Sequence, residues 1–126
     1  MAHVLETGFE ILNRENPNGS PTVMGYNIIN GELRSASDGA TFESRNPAWL
    51  DDCLGVFPLS TKEDVHDALI SAREAFSQWS QTPAPTRGQI IGNMGRLLME
   101  HNDDIVRVES REIGKTLKES AGEVQE

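Results

Sequence analysis

The sequence predicts an α/β chain in which a few short antiparallel strands, one pair of them a hairpin, precede about four helices. Before Ser60 the chain is interrupted by turn residues every few positions. From Ser60 onward, apolar residues recur at three- and four-residue intervals, as they do on one face of a helix. The 126 residues allow one small domain and are too few for a two-domain enzyme that closes over its substrate.

The strands are predicted from turn chemistry. Asn30-Gly31 lies between two short β-prone runs and is the pair best suited to a type I′ turn, which predicts a hairpin. Pro47 ends another β-prone run because proline cannot donate to a strand ladder. The predicted strands cover residues 26–29, 32–34, 41–45 and 53–57.

Residues 1–25 show neither a strand period nor a helix period. Two prolines and a cluster of Asn, Gly and Ser predict a flexible leader with at most one short helix. The organised part of the chain is therefore expected over residues 26–126.

The helix boundaries are predicted from capping residues. Ser60 and Glu63 have the offset of a capping box and begin the first helix, whose stripe runs to Trp79. A second helix is expected from near Thr86, and a third is capped by Asn102 or Asp103 and ended by Gly114. A second capping box, Thr116 and Glu119, begins a fourth helix. That helix lacks a stop signal at residue 126, so we expect the chain to be cut from a longer protein.

The composition excludes several classes of function. Twenty acidic against eleven basic residues give a net charge of −9, which is the wrong sign for binding nucleic acid. Cys53 is the single cysteine, so an internal disulfide and a multi-cysteine zinc site are excluded. No secretory signal or membrane segment is apparent. We expect a soluble cytoplasmic protein without a membrane partner, whose low mean hydropathy of −0.46 favours packing against a partner surface.

Local spacing offers only weak candidates for chemistry. Gly114-Lys115-Thr116 matches the end of a phosphate-binding loop, but the required earlier glycine is replaced by Glu109 and the preceding element is a helix. Cys53 lies beside Asp51 and Asp52, which would raise rather than lower the pKa of its thiol. The remaining candidates lack ligand or cofactor spacing and are interpreted as structural or solvated residues: Gly88, Gly92 and Gly95; His3, His66 and His101; Asp103 and Asp104.

From Tyr26 onward, an ordered series of motifs is more specific than any of these. Together the motifs resemble the N-terminal segment of the aldehyde dehydrogenase superfamily. They comprise Asn27-Ile28-Ile29-Asn30-Gly31-Glu32, Phe42-Glu43-Ser44-Arg45-Asn46-Pro47-Ala48, Gly55-Val56-Phe57-Pro58, Thr61-Lys62-Glu63-Asp64-Val65, Ala72-Arg73-Glu74-Ala75-Phe76-Ser77-Gln78-Trp79, Arg87-Gly88, Leu97-Leu98, Glu112-Ile113-Gly114-Lys115-Thr116 and Gly122-Glu123-Val124-Gln125-Glu126.

The resemblance implies NAD(P)-dependent oxidation of an aldehyde to a carboxylic acid through a cysteine thiohemiacetal, hydride transfer and thioester hydrolysis. The family's catalytic cysteine, glutamate base, oxyanion asparagine and cofactor glycines all lie beyond the matched region. The resemblance therefore implies no catalytic and no cofactor-binding residue in this chain. We expect neither NAD nor NADP to bind to it alone.

The resemblance also implies a position in the fold, an ion site and a substrate class. The matched segment is the outer part of the family's cofactor-binding domain. Some members hold a cation between the strand corresponding to Ser44 and Arg45 and the acid that precedes the Gly-Lys pair, which is Glu112 here. Residues 45–55 are similar to members that act on semialdehydes, such as α-ketoglutaric or aminoadipic semialdehyde.

The leading hypothesis is an N-terminal fragment of such a dehydrogenase, catalytically incompetent alone. Its partner would be the remainder of the enzyme or a second copy, bound through the apolar helix faces. The alternative is a free-standing truncated paralogue that acts as an interaction module on a full-length dehydrogenase, because exposed apolar faces usually mark a binding surface. A third possibility is a degraded gene product without function.

Overall fold

The computed structural model describes residues 9–15 and 21–126 of the chain, with side chains described from residue 22 onward. In chain order, strands occupy the first half and helices the second. The elements are β1 (Phe9–Glu15), β2 (Pro21–Gly25), β3 (Asn27–Ile29), β4 (Glu32–Arg34), β5 (Thr41–Arg45), β6 (Cys53–Pro58), α1 (Lys62–Gln81), α2 (Ala84–Glu100), α3 (Asn102–Ile113) and α4 (Leu117–Val124).

Four strands form a mixed sheet in the order β1-β2-β6-β5. The outer pairs, β1 with β2 and β5 with β6, are antiparallel, whereas β2 and β6 run parallel, with Val23 opposite Gly55. The predicted strands 41–45 and 53–57 are antiparallel as expected, and the parallel pair involves β2, a strand that is not predicted from the sequence. On one face of the β5–β6 ladder, the rings of Phe42 and Phe57 lie 5.8 Å apart between centroids.

The leader predicted over residues 1–25 is replaced by strands at 9–15 and 21–25. Strand β2 pairs in parallel with β6, which lies about thirty residues further along the chain. No local sequence pattern therefore predicts β2. The Phe57 ring covers this ladder, and a Cβ on Gly25 would lie 2.3 Å from its Cδ1 atom. The leader prediction is wrong for both strands, and residues 1–8 and 16–20 lie outside the described part of the chain.

The β3–β4 hairpin is confirmed. Ile29 pairs with Glu32 across a two-residue turn in which Asn30 has φ 53° and Gly31 has φ 75°. These positive angles are those that a type I′ turn requires and that Asn-Gly tolerates. Local turn chemistry was sufficient here because the turn depends on two adjacent residues.

Helix α1 begins one residue later than predicted, with Thr61 rather than Ser60 as its N-cap. Thr61 and Asp64 form the capping box, in which Thr61 N–H donates to Asp64 Oδ2 at 2.7 Å. The hydroxyl of Ser60 instead donates to Asn27 Oδ1 at 3.0 Å. Because both hydroxyls have a carboxylate three residues later, sequence spacing could not distinguish the two registers.

The predicted boundaries of α2 and α3 are confirmed in part. Helix α2 begins at Ala84, two residues before the predicted start. The predicted caps of α3 are wrong: His101 is its N-cap without a side-chain hydrogen bond, and the Asn102 amide donates to Asp103 at 3.3 Å. Gly114 ends α3 with φ 78°, as predicted.

Helix α4 is capped as the spacing predicts. The hydroxyl of Thr116 accepts from the Glu119 backbone, while the Glu119 carboxylate accepts from Thr116 N–H at 3.1 Å. The helix ends at Val124, before the predicted continuation to residue 126. No helix in the part of the chain that the structure describes is both long and apolar enough to span a membrane.

The described core is small and lies mainly where α3 meets β6. Its buried apolar residues are Cys53 and Leu54 of β6, Val106 of α3, Ile29 of the hairpin, and Ala36, which follows the hairpin. In contrast, α2 has no buried residue, and the only buried residue of α1 is the capping Asp64. Most apolar side chains of the two longest helices therefore face no other part of the described chain.

Candidate functional site

The best-organised polar site joins the last turn of α3 to the loop between β5 and β6. Asp52, which has no exposed surface, accepts two hydrogen bonds from the Arg111 guanidinium, at 3.1 Å from Nε and 2.7 Å from a terminal nitrogen. The Asn46 amide donates to the same carboxylate at 3.1 Å. A charged pair in this fork geometry is strong and directional, so it holds α3 in one position on the sheet.

The loop that carries Asp52 is itself held by backbone bonds. Asn46 N–H donates to Asp52 O at 3.0 Å, and Asp52 N–H donates to Trp49 O at 2.9 Å. An Arg45 guanidinium nitrogen donates to Leu50 O at 2.7 Å. The loop therefore presents Asp52 inward as part of a closed set of turns, while Trp49 and Leu50 remain exposed.

The two residues that family resemblance assigns to a cation pocket lie next to this junction. Ser44 on β5 donates from its hydroxyl to a Glu112 carboxylate oxygen at 3.4 Å, across 68 positions of sequence. The structure thus brings the pair together. Among residues 22–126, however, no group of three or more His, Cys, Asp or Glu side chains is placed to hold a metal ion. Two oxygen ligands are few for a hard cation, which takes six or more, and the cation pocket stays a prediction.

The Gly-Lys-Thr sequence after α3 does not form a phosphate-binding loop. Gly114 is the left-handed helix stop, and the Thr116 hydroxyl is engaged in the capping box of α4. The Lys115 ammonium is paired with Glu123. All three residues are therefore occupied by structural contacts, as the sequence interpretation held, and they do not fit a nucleotide phosphate.

Lys115 also lies at the centre of a small charged cluster between α3 and α4. The hydrogen bond between Lys115 and Glu123 lowers the pKa of Glu123 and raises the pKa of Lys115. Glu109 shares a hydrogen bond with Glu123, which raises the pKa of Glu109 because a proton between two carboxyl groups relieves their repulsion. The Ser110 hydroxyl donates to Lys115 O at 2.7 Å in the same region. These contacts attach α4 to α3.

The other candidates from sequence lie at separate places in the described chain. Cys53 is buried in β6, with 1% exposure, and its thiol donates to Gly55 O at 3.8 Å. His66 and His101 are exposed and far apart in sequence, and Asp103 and Asp104 lie in the first turn of α3. Gly88, Gly92 and Gly95 lie within α2, but the interpretation that they allow close approach of another helix is wrong for the described chain, since a Cβ at any of them would have no heavy atom within 4 Å. His3 lies outside the described residues.

Helices α1 and α2 each present an exposed apolar face in the described part of the chain. The stripe of α1, here called the α1 stripe, consists of Val65, Leu69, Ala72, Phe76 and Trp79, and Phe76 is 65% exposed. The opposite side of α1 faces the β3–β4 hairpin, where Arg34 lies 3.6 Å from Asp67. Helix α2 has a second stripe that includes Ile91, Met94 and Leu98, each more than half exposed.

Sequence reasoning missed the Asp52–Arg111 pair. From the sequence, Asp52 is named only as an acidic neighbour of Cys53, and no role is assigned to Arg111. The two residues are 59 positions apart, and no local spacing connects them. The only available signal was an arginine in the last turn of a helix, which is equally typical of a solvated residue that complements the helix dipole.

This arrangement of a small mixed sheet, a hairpin and four helices occurs within known dehydrogenases. The family described as "Aldehyde dehydrogenase family" matches residues 34–126. The chain therefore belongs to the aldehyde dehydrogenase family. Malonate-semialdehyde dehydrogenase 1 of Geobacillus kaustophilus is 37% identical over 104 residues, which are 82% of this chain and 21% of that protein.

Two solved structures extend the comparison to the fold. The NAD-dependent aldehyde dehydrogenase of Sinorhizobium meliloti superposes with a TM-score of 0.81 at 21% identity, over 94% of this chain and 24% of its own. An NADP-dependent enzyme of E. coli superposes with a TM-score of 0.77 at 35% identity, over 79% of this chain and 21% of its own. The chain thus spans about a fifth of the length of the relatives that it matches.

Proposed function

We propose that this chain is the N-terminal portion of an NAD(P)-dependent semialdehyde dehydrogenase and that it contributes scaffold, not chemistry, to the oxidation of a semialdehyde to a carboxylic acid. The observation that carries the scaffold role is the uncovered α1 stripe together with the uncovered face of α2. In water, such faces are unfavourable at roughly 25 cal/mol for each Å² of apolar surface. A covering surface is thus expected, and relatives about five times longer offer one.

The chemistry proposed for the assembled enzyme rests on the relatives. The 37% identity to a malonate-semialdehyde dehydrogenase supports a semialdehyde substrate, in agreement with the semialdehyde-type motif over residues 45–55. The E. coli relative, named for its NADP dependence, supports a nicotinamide cofactor. The described residues of this chain supply neither a nucleophile nor a glycine loop for that cofactor. Both groups are assigned to the remainder of the enzyme.

The test is reconstitution from two chains. The 126-residue protein is mixed with the Geobacillus malonate-semialdehyde dehydrogenase from which the matched segment has been removed, and reduction of NAD(P) by malonate semialdehyde is followed by absorbance. We expect no turnover by either chain alone and turnover by the mixture. Leu69→Asp combined with Phe76→Asp on the α1 stripe should abolish it. Glu74→Gln, on the side of α1 that faces the hairpin, is the matched control and should preserve it.

Three results would contradict the proposal. Turnover by the 126-residue chain alone would place the chemistry within it. Equal loss of activity in the stripe variant and the Glu74→Gln control would exclude the α1 stripe as the docking face. Binding to the complete dehydrogenase but not to the shortened one would identify the chain as an interaction module instead.

A further inference from the structure

The turn of the β3–β4 hairpin exposes a reactive pair of residues. Asn30 and Gly31 form the two-residue turn, and both are exposed. Within residues 22–126, neither the Asn30 side chain nor the Gly31 N–H has a hydrogen-bond partner. A Cβ built on Gly31 would have no heavy atom within 4 Å, so the space around the turn is open. The Gly31 nitrogen and the Asn30 side-chain amide beside it are therefore both free of hydrogen bonds within the described residues.

This pairing permits a specific reaction. The Gly31 nitrogen loses its proton and attacks Asn30 Cγ, the Cγ–Nδ2 bond breaks, and ammonia leaves with a proton from solvent, which closes a five-membered succinimide. Water then opens the ring. Cleavage at Cγ gives aspartate, and cleavage at the main-chain carbonyl carbon gives isoaspartate. Overall, one side-chain amide and one water are converted to one carboxylate and one ammonium ion, and no oxidant or reductant is needed.

We propose that Asn30 is a site of spontaneous covalent modification, converted through this succinimide to aspartate and isoaspartate in the folded protein. Glycine at the following position favours ring closure because it has no side chain to obstruct the approach of its nitrogen. The reaction needs nothing from the dehydrogenase role proposed above, so either proposal can fail without the other.

The other described asparagines with described side chains lack this combination. Asn27 precedes a β-branched residue, and its side-chain oxygen already accepts a hydrogen bond at 3.0 Å. Asn46 precedes Pro47, which has no N–H to act as a nucleophile. Asn93 lies within α2 and Asn102 begins α3, where helical geometry restrains the backbone. Asn30 is thus distinguished by structure as well as by sequence.

Asp38-Gly39 provides an internal contrast. An Asp-Gly pair can close the same ring with loss of water, so sequence alone would mark both turns. In the structure, however, Gly39 N–H donates to Ala36 O at 2.9 Å, and the Asp38 carboxylate accepts from Ala40 N–H at 2.9 Å. These hydrogen bonds restrain both the Gly39 nitrogen, which would be the nucleophile, and the Asp38 side chain that it would attack. Asp38 is therefore expected to remain unmodified while the chain is folded.

The two products affect the hairpin differently. Aspartate suits the same turn type as asparagine and leaves the pairing of Ile29 with Glu32 intact. Isoaspartate inserts an additional backbone carbon into the two-residue turn, which this register does not accommodate. The hairpin faces α1 through the Arg34–Asp67 contact. Isoaspartate is therefore expected to loosen the hairpin from α1.

The experiment uses the full 126-residue chain. A second Asn-Gly pair, Asn18-Gly19, lies outside the described residues, so it is removed by Asn18→Gln. The folded variant is incubated at mildly alkaline pH and digested with trypsin. The peptide over residues 15–34 is then analysed by a fragmentation method that distinguishes asparagine, aspartate and isoaspartate. Asn18→Gln with Asn30→Asp is the matched control because it retains the turn but carries no amide at position 30.

We expect Asn30 to convert several-fold faster than Asn27 or Asn93, with isoaspartate among the products, and Asp38 to remain unchanged. The rate should rise with pH because the Gly31 nitrogen must lose a proton. The control should gain no carboxylate at position 30. Conversion of Asn30 no faster than that of Asn27, or isomerisation of Asp38 at a comparable rate in the folded chain, would overturn the proposal.

Discussion

Asp52 and Arg111 form a partly buried ion pair across 59 positions of sequence, with two hydrogen bonds of 3.1 and 2.7 Å. The carboxylate has no exposed surface, whereas the Arg111 side chain remains 25% exposed. The pair joins the β5–β6 loop to the last turn of α3. A buried charge without its partner is costly, so removal of Arg111 alone is expected to destabilise the fold.

Arg111→Ala is expected to destabilise the fold by about 3 kcal/mol, since it leaves the Asp52 carboxylate buried without a cation. Urea unfolding followed by far-UV circular dichroism measures the change. Arg107→Ala, one turn earlier on α3 and exposed, is the matched control, with an expected change within about 0.5 kcal/mol. Adding Asp52→Asn to Arg111→Ala should recover part of the loss. Equal losses at the two arginines would contradict a structural role for the pair.

Thr61→Ala should cost about 1 kcal/mol because the N-cap of α1 loses its side-chain acceptor for Asp64 N–H. Ser60→Ala should cost less than about 0.5 kcal/mol, since Ser60 makes only an exposed hydrogen bond to Asn27. The same unfolding measurement compares the two variants. A larger loss at Ser60 would favour the capping register predicted from sequence.

Acid should weaken the contact of Asp64 with the chain that precedes α1. Hydrogen bonds from the Thr61 and Ser37 backbone lower the pKa of Asp64. Folding therefore favours the carboxylate, and its contribution is complete above the ordinary pKa of an aspartate and is lost as the pH falls toward the lowered value. Unfolding free energies should fall more across this acid range in the natural chain than in Asp64→Asn, because Asp64→Asn removes only the contribution of this carboxylate. Glu63→Gln, in the same turn, is the matched control and should leave the loss in place.

Gly114→Ala should destabilise the chain by at least about 1–2 kcal/mol, because φ is 78° at this position and a Cβ would lie 2.9 Å from Pro47 Cγ. Gly88→Ala should instead stabilise it by up to about 1 kcal/mol, since α2 is helical there and a Cβ meets no atom within 4 Å. Thermal unfolding of the two variants tests the opposite signs. Changes of the same sign would contradict the different roles of these glycines.

The strands and helices could be predicted wherever the decisive contacts are local. The type I′ turn at Asn30-Gly31 depends on two adjacent residues, and the left-handed stop at Gly114 depends on one. The Thr116 and Glu119 capping box depends on a three-residue offset. The first capping box was misplaced by one residue because Ser60 and Thr61 present equal local signals.

The family, the hairpin and the helices were determined by the sequence itself, since motif order and short-range periodicity are properties of neighbouring residues. The tertiary structure alone decided that β2 lies parallel to β6 and that Asp52 meets Arg111. The partners in these two contacts are separated by about thirty and about sixty positions, and they meet only after loops close around a shared core. The energy that selects them is gained in packing, which no local window of sequence contains.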